Sequence, residues 1–138
     1  MIDELEQLRK EYAAEMPNRM TSIHHGMDVI IQALTHQNKC DWHPLNACVH
    51  KLAGSSGSYG FKELSKAARY MEDLIESGKL TTQSPQNIIA HLSRWYDVLS
   101  RCSHTVQSGA QNADINSAIQ DLAEHFASLS EQNTKKAA

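Results

Sequence analysis

Apolar residues in this chain recur three and four positions apart, segment after segment, and no segment alternates them every second residue. That spacing lines up one face of an α-helix, whereas a half-buried strand needs a period of two. Asn-Gly and Asp-Gly, the strongest short hairpin signals, are also missing. The chain is therefore expected to be all-α. Ile2, Leu5, Leu8 and Tyr12 form a first, short stripe, with Asp3, Glu4 and Glu6 at the end that attracts negative charge. Pro17 opens a second helix, whose stripe is Met20, Ile23, Met27, Ile30, Ile31 and Leu34. A third helix runs over about 41–58, with Asp41 as its N-cap and Pro44 in its first turn.

Gly60 supplies the turn into a fourth helix carrying Phe61, Leu64, Ala68, Met71, Leu74 and Ile75, which Gly78 stops. Ser84-Pro85 reads as an N-cap and first helical residue, followed by Ile88, Ile89, Leu92, Trp95, Tyr96 and Leu99. Past a small, polar linker from Ser108 to Ala113, a last stripe holds Ile115, Ala118, Ile119, Leu122, Phe126 and Leu129. Four long stripes joined by short loops predict an antiparallel up-and-down four-helix bundle, with a short N-terminal helix and an extra C-terminal helix. One domain over residues 1–132 is expected, with a frayed tail at 133–138.

The third helix contains an anomaly. In DWHPLNACVHKLAGSSGSYG, Leu45, Val49, Leu52, Ser56 and Tyr59 share one stripe, while His50 shares another with His43, Asn46, Ala47, Gly54, Gly57 and Ser58. A histidine among small residues thus faces away from the core. Each glycine in a helix body costs about 0.8–1 kcal/mol against alanine, so Gly54 and Gly57 imply that something large must come close to His50.

Charge and cysteine usage remove other classes. A net charge of -3 and a pI near 6.2 disfavour a nucleic-acid partner. No run of about 18 apolar residues could insert in a membrane. Cys40, Cys48 and Cys102 form no Cys-x-x-Cys pair and leave an odd thiol, as in a reducing, cytoplasmic compartment. His24 and His25 are adjacent and point about 100° apart on a helix, and His36, Cys40 and His43 lack a second pair to complete a metal site. GSSGSYG lacks the Lys-Ser/Thr of a phosphate-binding loop. Trp42, Trp95 and Tyr96 read as core or rim residues, and Ser55 and Ser56 as packing or helix-local ones.

The run HKLAGSSGSYGFKELSKAARYME resembles the histidine-containing phosphotransfer (HPt) domain of multistep two-component phosphorelays. In that family a histidine is followed by a hydrophobic residue, a glycine, small residues and a second glycine. Here these are His50, Leu52, Gly54, Ser55-Ser56 and Gly60, with Leu64 at the hydrophobic position beyond. The strong match covers Val49 to Leu74. It departs from the family at Ala53, where many members carry lysine; Lys51 is the nearest cation in sequence.

The resemblance implies that His50 accepts a phosphoryl group from a receiver-domain aspartyl phosphate and relays it to another receiver. Gly54 becomes clearance for that receiver. Glu72 stands where members often place a glutamine that hydrogen-bonds the imidazole. Lys51, Lys62, Lys66 and Arg69 would attract an acidic receiver pocket, and Ser58 lies on the His50 face. No cofactor of its own is implied: Mg²⁺, the aspartate and a lysine belong to the receiver, whether in a response regulator or a hybrid kinase. A phosphocarrier rather than an enzyme is expected, cytoplasmic and monomeric. Met1 and the N-terminal helix favour a free-standing protein. The competing readings are a non-catalytic adaptor of the same shape that binds a receiver or kinase, and a metal-binding bundle.

Overall fold

The structure is a computed structural model describing residues 3–109 and 114–137, with side chains in the second stretch as far as residue 129. Six helices follow one another: α1 Glu4–Ala14, α2 Met16–Thr35, α3 His43–Ser58, α4 Lys62–Ser77, α5 Pro85–Ser108 and α6 Ile115–Ala137. No strand occurs among the described residues.

Helix α2 packs on α3, α3 on α4, α4 on α5, and α5 back on α2, which closes a four-helix ring. Contacts along each seam run in opposite senses. Gly26 of α2 meets Leu45 of α3, while Ile30 meets Cys40 just before α3. Tyr70 of α4 bonds His91 of α5, whereas Ala67 bonds Trp95. Neighbours are thus antiparallel, as short connections require. The stripes meet inside as one core, whose largest fully buried side chains include Trp95, Met16, Ile23, Ile30, Leu45 and Met71. Trp95 is buried with its indole N–H donating to the Ala67 carbonyl at 2.8 Å, so its one polar atom is satisfied.

Local signals act as the sequence suggests at three helix ends. Pro17 lies in the first turn of α2. Ser84 caps α5, its hydroxyl accepting from the Asn87 amide at 3.2 Å. Gly78 ends α4 in the left-handed conformation at φ 76°.

Several expectations need correction. Asp41 does not cap α3 formally: Trp42 holds that position, and Asp41 instead accepts from the His43 amide at 3.1 Å. In α1 only Tyr12 reaches the core, while Leu5 and Leu8 are 48% and 45% exposed. The helix is fastened at Arg9 and Tyr12, and nothing described covers the two leucines; Ile2 lies outside the described residues. In α5, His91 occupies the fully buried position, while Ile89 and Tyr96 are only half-buried. The extra helix, α6, is more than an appendage to the bundle. It lies against α4 and α5 and buries Ile115, Leu122 and Phe126 in the common core. The expected frayed tail falls where side chains are outside the described set, and the backbone there continues α6 to Ala137. Of the expected linker, residues 110–113 lie outside the description.

Candidate functional site

The α3–α4 hairpin builds the site. Gly60, at φ 81°, lets the chain reverse in a region that side chains with a Cβ avoid. The Phe61 amide then reaches back to the Ser56 carbonyl at 2.9 Å, a six-to-one closure that satisfies the end of α3. Arg9 of α1 adds an Nε–H bond to the Tyr59 carbonyl at 2.7 Å, with its guanidinium over the Phe61 ring. One turn into α4, the Ser65 hydroxyl donates to the Ala53 carbonyl across the seam at 2.8 Å. These fastenings fix the register that sets Glu72 of α4 opposite His50 of α3.

His50 and Glu72 are hydrogen-bonded, ring Nδ1 to carboxylate Oε2. Their exposures differ sharply: the imidazole is 77% exposed and the glutamate side chain 9%. A carboxylate so nearly enclosed needs a partner for its charge, and His50 is that partner. An ionised carboxylate can only accept, so Nδ1 must carry the hydrogen. In the neutral ring the second nitrogen, Nε2, then keeps its lone pair. A neutral imidazole held this way is a nucleophile aimed outward.

The surroundings leave room. A Cβ built on Gly54, one turn beyond His50, would meet nothing within 4 Å. His43, Ala47 and Ser58 are exposed on the same side. Ser58 spends its hydroxyl on the Gly54 carbonyl at 3.0 Å, within its own helix. Gly57 differs from Gly54: a Cβ there would come within 3.2 Å of the Ser65 hydroxyl. Its smallness serves the α3–α4 seam as well as any visitor. Ser55 and Ser56 are turned inward, toward Tyr12 at 2.7 Å and the Leu52 carbonyl at 2.5 Å respectively.

Lys51 and Arg69 are exposed, and among the described residues neither makes a hydrogen bond or ion pair. Arg69 lies one turn before Glu72 on α4. Lys51 borders a crevice of about 300 Å³ between α2 and α3, beside Arg19, Cys48 and Ser55. Ala53 is 2% exposed, so a side chain at that position enters the α3–α4 seam. A groove of about 950 Å³ lies away from all of these, between α1, the start of α4, the end of α5 and the start of α6. The site is therefore an open ridge rather than a pocket, suited to a group that a partner must reach.

One buried polar cluster escaped the sequence reading. His91 is fully buried, its Nε2 2.8 Å from the Tyr70 hydroxyl, its ring parallel to that of His125 and against Phe126. Burial, aided by His125 and Arg94, lowers its pKa to about 4, while burial raises that of Tyr70. The Nδ1 atoms of both histidines are enclosed and unpartnered. Periodicity could have found His91, which falls in step with Ile88, Leu92 and Trp95. Of the other histidines, His24 pairs with Asp28 at 3.4 Å and His36 with the Gln32 carbonyl at 2.8 Å. No group of three or more potential metal ligands converges among the described residues.

Comparison with known families gives one result: the model of the Hpt domain matches residues 7–102, most of the chain and all of α2, α3 and α4. No curated protein and no solved structure matches it significantly.

Proposed function

Because the chain belongs to the Hpt domain family, whose members are phosphocarrier modules of phosphorelays, we propose that His50 is its phosphoacceptor. It takes the group from an aspartyl phosphate on one receiver domain and yields it to another. The observation that carries this reading is the exposed imidazole whose Nδ1 is held by the enclosed Glu72, beside the open space at Gly54.

The chemistry follows from that geometry. Nε2 attacks phosphorus as the aspartyl O–P bond breaks, and the electron pair of that bond leaves on the aspartate carboxylate. Phosphoryl transfer passes through a loose transition state, so positioning and charge stabilisation dominate. Glu72 positions the ring. Gly54 gives the receiver its approach, and Lys51 and Arg69 speed encounter with an acidic receiver surface. The divalent metal and the remaining charged groups come on the receiver. No described helix is long and apolar enough to cross a membrane.

The test is chemical. The purified protein is incubated with a radiolabelled, phosphorylated receiver, and label is expected on it as an acid-labile, alkali-stable adduct. His50→Gln should abolish labelling while leaving helical content unchanged. Equal labelling of His50→Gln would overturn the assignment; receiver binding without any transfer would favour the adaptor reading.

A further inference from the structure

If His50 is the phosphoacceptor, as proposed above, its partner is more than a clamp. We infer that the Glu72 carboxylate biases the relay toward the phosphorylated histidine and keeps that phosphohistidine able to pass its group on as the pH rises.

The argument is one of charge. Before transfer the ring is neutral, with hydrogen on Nδ1 and a lone pair on Nε2. Afterwards both nitrogens are substituted, one by hydrogen and one by phosphorus, and the ring carries a positive charge shared between them. Glu72 sits against Nδ1 with its carboxylate 9% exposed, where an anion favours that cation over the neutral ring. A hydrogen bond to a charged acceptor is roughly twice as strong as one between neutral groups. An amide oxygen in the same place would orient the ring equally well without supplying this bias.

The return step depends on the same hydrogen. When the N–P bond breaks, its electron pair returns to Nε2. With hydrogen retained on Nδ1, the departing group is neutral imidazole; without it, the departing group is imidazolate, which leaves poorly. Glu72 holds the hydrogen where it is needed. Among the described residues it is the single carboxylate within ion-pairing distance of the ring. Lys51, next to His50 on α3, and Arg69, one turn before Glu72 on α4, pair with neither group.

The test compares the wild type with Glu72→Gln, which keeps size and hydrogen-bonding capacity but removes the charge. With a phosphorylated receiver, the equilibrium ratio of phosphorylated protein to phosphorylated receiver should fall roughly three- to tenfold in the variant. Return transfer from phospho-His50 should decline at a lower pH than in the wild type. A merely structural role would change neither the ratio nor the pH profile of a protein whose melting point is preserved. An unchanged ratio and profile in a folded Glu72→Gln would overturn the inference. Should that variant not fold, the ³¹P resonance of the phosphorylated wild type decides. It should titrate at higher pH than a phosphohistidine peptide, and coincidence with the peptide would overturn the inference. Absence of wild-type labelling, or labelling of His50→Gln, sinks instead the assignment on which the inference rests.

Discussion

Gly54 offers a perturbation whose effects on stability and transfer should have opposite signs. It lies in the body of α3, is exposed, and has nothing within 4 Å of where a Cβ would stand. Alanine there adds no clash and removes backbone freedom from the unfolded chain, so Gly54→Ala should stabilise by about 0.8–1 kcal/mol. For a chain of 138 residues that corresponds to a rise in melting midpoint of about 3–5 °C. A longer side chain keeps much of that gain and fills the space beside His50. Gly54→Gln should therefore melt no lower than the wild type yet slow phosphotransfer from a receiver by roughly tenfold or more, since small displacements of reacting groups are costly. Thermal melts by circular dichroism and stopped-time labelling of the same preparations measure both effects. A lower midpoint for Gly54→Ala would show that the position is not open. Wild-type transfer by Gly54→Gln would show that clearance at this point does not matter, and the reading of the glycine would be wrong.

Two further predictions concern the core. Gly26 also sits in a helix body, but a Cβ there would lie 3.0 Å from the Leu45 Cα and 3.1 Å from its amide nitrogen. Backbone cannot yield as a side-chain tip can, so α2 and α3 must separate, and Gly26→Ala should destabilise by about 1–3 kcal/mol in urea unfolding. His91 predicts a pH dependence. Its pKa is near 6.5 when unfolded and about 4 when buried, so between those values the unfolded state binds more protons and stability rises with pH. The contribution is complete above about pH 6.5 and is lost as the pH falls toward 4. At about 1.36 kcal/mol per pH unit, it amounts to roughly 3 kcal/mol. In His91→Phe, which cannot ionise, the fall in stability between pH 6.5 and 4 should shrink by a comparable amount; an unchanged slope would refute the assignment.

Much of the architecture could be read from the chain because helices are local. A 3.6-residue period, proline in a first turn and glycine past a last one each act within a few residues. The stripes of α2 to α5, the Ser84 cap and the Gly78 stop needed no knowledge of neighbours. His50 stood out for the same reason, since its face carries small residues that a helix adopts at a cost. Where these local rules failed, packing had intervened. Leu5 and Leu8 follow the period as faithfully as Tyr12, yet only Tyr12 meets a partner. His91 is polar, and only the Tyr70 hydroxyl and the cover of α6 make its burial tolerable.

By itself the sequence determined the helices, their order and the outward-facing histidine. The tertiary structure decided how those parts meet. Gly54 and Gly57 look alike in sequence, but one faces open space and the other faces Ser65. Ala53 is one residue from Gly54 and is buried in the seam. Glu72, 22 residues from His50, becomes its partner because the turn at Gly60 and the Ser65–Ala53 bond set the register of two antiparallel helices. Periodicity fixes which way a side chain points from its own helix; only the packed neighbour fixes what it finds there.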